Sequence, residues 1–363
     1  MCQWPKRNLK PVSQVLDRDN YTGYDPYDGL ASPLTRFIPW AKARLIFTHL
    51  VRKSPFNIRP LLGIPKTLNP KTLALALMVK ARIEDESACL KLIQMIEKTQ
   101  PWGYPFAWQS RAFFVPVGTP TAVNTAFVLH ALADARDIMG IDAKSVAIPA
   151  VQRITENLNQ QDGFFSYTPI DNHRVHNANL LLASALARWG RQELAEKSAL
   201  ASLCFQREDG SLLYGEDHDF FAYIDNFHTG FVLLALNSLN RSLNDRFKGQ
   251  TRALARFYKT RLFTRKGSPL WRLNKPWPKD IHNHAVAAGT LADLGETQWA
   301  LRVLREMENL FMLKGFRFGY QRGRLLFRKQ NYIRWGQAWA GWAYAAVVFG
   351  YGLGPEPEAQ HQG

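Results

Sequence analysis

The sequence predicts an all-α fold, an (α/α)6 toroid of six helical hairpins, and three observations carry that expectation. Apolar, Ala-rich stretches recur about every fifty residues, a period of the kind set by paired helices. Amphipathic stretches with a single apolar stripe alternate with them. The connections between the two kinds are unequal, short in one direction and long in the other.

The apolar stretches begin at Asn69 (NPKTLALALMVKARI), Thr119 (TPTAVNTAFVLHALADA) and His176 (HNANLLLASALARWG). Three more begin at Ile224 (IDNFHTGFVLLALNSL), Ile281 (IHNHAVAAGTLADLG) and Tyr332 (YIRWGQAWAGWAYAAVVFG). Helices that are apolar all round and rich in small residues are buried on several sides, so these form the inner ring. Stretches such as DESACLKLIQMIEKT and ETQWALRVLREMENLFML carry one stripe and form the outer layer, with LTRFIPWAKARLIFTHLVRK opening the series. Closing the ring removes two exposed ends for which no polar caps are visible. Residues 1–34 are then an N-terminal segment folding over the mouth, 35–350 the toroid, and 351–363 a disordered tail.

Inner-to-outer turns are short (WGRQ, LGET), whereas outer-to-inner connections are long, rich in Gly and aromatics, and resemble small β-hairpins. Because helix direction alternates, all the long loops fall on one face, and long loops in a compact domain usually carry function. Trp102, Tyr104, Trp108, Tyr167, Tyr214 and Tyr320 therefore line the expected site, with Tyr24 beside them.

Bulk properties narrow the function classes. The formal charge is +16, from 46 Lys+Arg against 30 Asp+Glu, which favours anionic partners. No nucleic-acid-binding signature accompanies it, and nucleic acid is not expected. Three widely spaced cysteines without CxxC partners suit a reducing cytoplasm and argue against a disulfide framework or a structural zinc site. The start MCQWPKRNLKP does not read as a secretory signal. The expected placement is cytoplasmic, with peripheral attachment to the inner membrane as the alternative.

The motifs GYDPYDGLASP, GYPFAWQ, FSYTPID…VHNANLLLASALAR, DGSLLYGE…YIDNFHTGFVL and IRWGQAW resemble, in order over residues 23–349, the VpsJ-like bacterial polysaccharide-biosynthesis proteins. That family is placed in the six-hairpin glycosidase and α/α-toroid group. The resemblance implies a carbohydrate ligand and a setting in exopolysaccharide, capsule or lipopolysaccharide synthesis, with a glycan, nucleotide-sugar or lipid-linked sugar as partner and no cofactor. It does not fix a reaction, although the fold group leans towards hydrolysis. The δ-aminolevulinic acid dehydratase label that some members carry does not suit this chain, because nothing here alternates strand with helix. A terpenoid-cyclase-like toroid lacks its DxDD acid and QW repeats here.

The candidate site residues follow from the repeat. Asp225 can cap its helix with His228 one turn in, yet the same position recurs with His176, Asn177 and Asn179, with His282, and with Tyr332, Arg334 and Gln337. Asn124 stands there too. Capping needs one short polar residue per helix, so a polar funnel along the ring axis is expected to account for the rest. Glycosidic cleavage needs two carboxylates, to be drawn from Asp25, Asp28, Asp171, Glu216, Asp217 and Asp225. Lyase or epimerase chemistry instead needs a His or Tyr base and an Arg, Asn or His to neutralise a uronate carboxylate, for which His228, His282, Tyr167, Tyr332, Arg334 and Asn226 are available. His282 and His284 lie about 200° apart on a helix and cannot share a metal, so no metal is expected. A glycan-binding or scaffold subunit without catalysis is the alternative of a different class.

Overall fold

The computed structural model describes residues 3–109, 114–160 and 162–354. Helices α1 (Gln3–Arg18) and α2 (Ala41–Lys53) precede five hairpins. These are α3–α4 (Pro70–Arg82, Glu86–Lys98), α5–α6 (Ala122–Met139, Lys144–Leu158) and α7–α8 (His176–Arg188, Gln192–Leu203), then α9–α10 (Asn226–Ser242, Lys248–Arg261) and α11–α12 (Ile281–Asp293, Thr297–Phe311). A π-turn, Ile333–Gln337, leads into α13 (Ala338–Phe349). The inner helices α3, α5, α7, α9, α11 and α13 each pack on the next, and α13 packs back on α3, closing the ring. Every described residue of α3 and α7 is buried, as all-round apolarity requires.

The sixth outer helix is α1, which packs on α13. The sequence pattern assigned that role to residues 35–53 and left 1–34 as a cover. The stripe Leu9, Val12, Val15 and Leu16 is buried at helical spacing, but Pro11 falls inside it and hides the period. The chain crosses the mouth only after α1, where Thr22–Gly23 pairs with Thr67–Leu68. At the far end, Tyr351–Gly354 is buried, past the boundary expected at 350. Arg82 donates to Gly352 O at 2.5 Å and the Gly352 amide to Asp293 at 2.9 Å, which seals the end of the ring opposite the mouth. The final residues, 355–363, lie outside the described chain, as do Ser110 to Phe113 of the first long loop.

Stitching between layers explains part of the polar repeat. Asn226 Nδ2 donates to Leu262 O at the end of α10 (2.8 Å), and its Oδ1 accepts from Tyr258 OH (2.9 Å). Asn179 reaches Ser198 O and Ser202 in α8, both at 2.8 Å, and Asn283 reaches Leu270 O at 3.0 Å. Gln337 donates to Val12 O of α1 and to Phe316 O, each at 3.1 Å. These side chains point outward and satisfy carbonyls at outer-helix ends and in the loops, so the repeat is structural at those positions. Asn226→Ala should lower stability by about 1–3 kcal/mol by removing a partner from buried Tyr258 and from the Leu262 carbonyl, with ligand binding unchanged. Denaturant unfolding alongside a binding isotherm checks both halves.

Candidate active site

The second residue of each inner helix faces the ring axis. After the caps Asn69, Thr121, Val175, Asp225, Asp280 and Tyr332 come, two residues further in, Lys71, Val123, Asn177, Phe227, His282 and Arg334. All six line one cavity of about 240 Å3 on the long-loop face. One turn deeper, Phe231 adds to its wall. Six helix N-termini, each the positive end of a dipole, thus surround a single hollow.

The loops complete the wall with aromatics. Tyr104 and Tyr167 are hydrogen-bonded to each other, and Trp108 stands edge-on to both at about 6 Å. Tyr214 stacks on Tyr223 at 4.9 Å, and Tyr27 meets Trp335 edge-on at 5.4 Å. Burial pushes the hydroxyls of Tyr104, Tyr167, Tyr214 and Tyr223 above their ordinary range, so all four stay protonated. They can donate hydrogen bonds but are unsuited to act as bases.

His228 is the partly exposed imidazole of the cavity. Asp225 Oδ1 caps α9 by accepting from the His228 amide at 2.8 Å, and Oδ2 lies 2.8 Å from His228 Nδ1. A carboxylate can only accept, so the proton sits on Nδ1 and Nε2 is left for a ligand. Asp225 therefore performs both the capping and the orienting role, and its own oxygens are engaged behind the ring.

His282 is different. It is buried among Phe227, Trp335 and Trp339, with ring centroids 4.2–4.8 Å away, and neither nitrogen has a hydrogen-bond partner among the described residues. Desolvation, then Lys71 and Arg334, hold it well below the usual histidine range, so it is neutral. His284 points the other way, with Nδ1 2.9 Å from Asp280 O and Nε2 3.6 Å from Glu306 of α12. Asp280 caps α11 and accepts from Trp335 Nε1 at 3.0 Å, fixing that ring in the wall.

Two basic side chains reach the cavity. Arg334 is clamped by Asp25, with Nε–Oδ2 at 2.5 Å and Nη2–Oδ1 at 2.8 Å. Lys71 has no ion-pair partner among the described residues; its Nζ lies 4.5 Å from the Phe127 ring centroid and 5.8 Å from Phe231. Desolvation and then Arg334 hold its amine well below 10.5. A buried amine without a counter-ion is costly to stability, and it is the kind of group that a ligand completes.

The cavity gathers Tyr104, Trp108, Tyr167, Asn177, Tyr214, His228, His282 and Arg334 from the residues singled out by sequence. The others lie elsewhere. Asp25 serves Arg334, and Asp28 is buried against Arg59 at 2.7 Å, so neither carboxylate is offered to a sugar. Glu216 binds His176 Nε2 at 2.9 Å, while Ser202 holds Nδ1 at 3.2 Å. Trp102, with φ 66°, donates to Ile96 O and supports its loop from behind. Tyr320 packs edge-on against Tyr332 beneath the rim, and Tyr24 lies near Lys66. Asn124 is buried in the first turn of α5 outside the lining, as Asn179, Asn226 and Gln337 are in theirs. Among the described residues, no Asp or Glu lines the cavity. Lys71, Tyr27, Phe227 and Trp335 escaped the sequence reading. Aligning the six inner helices on their caps would have placed Lys71, Phe227 and Arg334 at one position.

No family model and no curated protein sequence matches the chain. Solved structures do. An unsaturated glucuronyl hydrolase specific for heparin superimposes with a TM-score of 0.64 at 14% identity, over 96% of this chain and 97% of that one. The chain has the six-hairpin (α/α)6 toroid fold. Cellobiose 2-epimerase from Spirochaeta thermophila is similar with a TM-score of 0.60 at 14% identity, over 78% and 85% of the two chains. A polysaccharide lyase is similar with a TM-score of 0.54 at 9% identity, over 77% and 88% of the two chains. These neighbours are carbohydrate-processing enzymes, and their names span hydrolysis, epimerisation and elimination.

Replacing Asp25 by Ala should destabilise the fold by about 3–5 kcal/mol, because it strands the buried Arg334 guanidinium. The Asp25→Ala, Arg334→Met double variant should recover part of that loss, which thermal unfolding of the three variants would read.

Proposed function

We propose that the protein processes a carboxylate-bearing sugar by proton transfer at the carbon next to the carboxylate, as an epimerase or lyase. The observation that carries this reading is the cavity's composition: an Asp-oriented imidazole, a guanidinium and a buried amine, with no carboxylate among its described lining residues. Glycosidic hydrolysis by paired carboxylates has no pair to use there, which sets aside the lean towards hydrolysis. In the proposed step His228 Nε2 takes the proton from the ring carbon. The released electron pair moves into the sugar carboxylate, whose growing charge Lys71, Arg334 and the helix N-termini stabilise. Return of a proton to the opposite face inverts the carbon, and expulsion of the neighbouring glycosidic oxygen gives elimination. A tyrosine hydroxyl of the wall supplies the second proton in this reading, and the tyrosinate and the His228 imidazolium then re-equilibrate through solvent. Ring faces such as Tyr104, Trp108 and Tyr214 suit stacking on sugars.

The setting we propose is bacterial cell-surface polysaccharide synthesis, with a glycan, nucleotide-sugar or lipid-linked sugar as the form in which substrate arrives. Its support is the sequence resemblance. Incubation with an array of uronate-containing and neutral oligosaccharides, followed by product analysis, tests the reading. Altered or unsaturated uronates are the expected products. Binding of glycans without any turnover, unchanged in His228→Ala, would favour a non-catalytic binding subunit instead.

A further inference from the structure

The segment that crosses the mouth leaves its large apolar side chains outside the core. Phe37, Trp40, Ile46, Leu50, Phe56 and Leu61 are all 58–86% exposed, and Leu325 at the tip of a neighbouring turn is fully so. Trp40, Ala43, Ile46 or Phe47, and Leu50 fall at helical spacing, so α2 carries an apolar stripe whose Trp40, Ile46 and Leu50 are left exposed by the described residues. Soluble monomers rarely leave so many large apolar side chains together in water. The turn belongs to the same surface, because Arg328 donates to Lys53 O and Gln330 to Ser54 O, each at 3.0 Å.

The charge on this face has one sign. No Asp or Glu occurs between Asp28 and Glu84 or between Glu308 and Glu356, whereas Arg36, Lys42, Lys53, Arg324 and Lys329 are exposed there. We propose that this face docks on an anionic lipid surface, with α2 lying in the headgroup layer. A 13-residue helix is too short to cross a bilayer, which takes ~20 residues, and no helix among the described residues is long and apolar enough to do so. An apolar stripe flanked by Trp, Lys and Arg is the pattern of an interfacial helix. A second copy of the chain fits less well, since a two-fold contact would set this acid-free face against itself. The face adjoins the site: Arg52 lies 5.2 Å from the ring of Tyr27, and Arg44 reaches Gln109, next to Trp108. Docking would therefore hold the cavity mouth at the lipid surface, whatever reaction the cavity performs.

Vesicle co-sedimentation of the full chain tests this. Phosphatidylcholine vesicles with roughly a quarter phosphatidylglycerol should bind it, with at least tenfold loss in pure phosphatidylcholine or at ~0.5 M salt. The variant Trp40→Glu, Leu50→Glu should lose at least tenfold in affinity, as should Lys42→Glu, Lys53→Glu, with circular dichroism unchanged. Ile148→Glu, on outer helix α6, should bind as wild type. The proposal is overturned if wild type ignores both vesicles, binds both equally, or is indifferent to the substitutions. It is equally overturned if sedimentation velocity finds a dimer that the same substitutions dissociate.

Discussion

His228→Ala is expected to lower turnover of a uronate substrate by 10²- to 10⁴-fold while binding and folding persist, the usual span for loss of a positioned general base. The imidazole stands partly exposed at the cavity edge, so its removal leaves the packed wall intact. Asp225→Asn should cost less. An amide still caps α9, but it can present its NH2 to Nδ1 and so favour the wrong tautomer. A fall in kcat with little change in KM, ordered His228→Ala below Asp225→Asn, would follow from a base and its orienting partner. Equal losses in KM alone would assign both residues to binding.

Lys71→Met should act on stability and binding in opposite directions. Removing a buried amine that has no ion-pair partner among the described residues is expected to raise stability by about 1 kcal/mol or more. The same change should abolish the preference for carboxylate-bearing sugars. The pH dependence identifies the cause. Because the folded chain holds Lys71 below 10.5, the unfolded chain binds more protons in the window beneath 10.5, and wild-type stability rises with pH through that window. Lys71→Met should lack that rise. His282, held below 6.5, gives the same sign lower down, with stability lost as pH falls through the acid range in both proteins. A carboxylate entering the cavity should also draw a proton onto the amine. Calorimetry in buffers of different ionisation enthalpy would register uptake with wild type and none with Lys71→Met.

The ring was legible in the sequence because its inner helices are apolar on every side, and only a closed arrangement buries such helices. The order of the last hairpin was harder to read, since Pro11 falls inside the stripe of α1 while α2 shows a clean stripe that turns out to face solvent. The site was legible in outline from the polar first turns and the aromatic loops. Its chemistry was not, because residue type does not reveal direction. Asn226 and Asn179 look like ligand contacts in sequence yet bind the outer layer, and Asp25, Asp28 and Glu216 look like acids yet serve Arg334, Arg59 and His176. Lys71 went unnoticed because a lysine beside a helix start reads as surface, and only the closed ring turns that position inward.

Proton exchange is the most direct test of the central claim. Uronate-containing oligosaccharides would be incubated with the protein in deuterated water and followed by NMR at the carbon next to the carboxylate. The account predicts deuterium at that carbon, or loss of its proton with formation of a double bond, and neither with His228→Ala. Cleavage of the glycosidic bond with that proton retained, unaffected by His228→Ala, would contradict it.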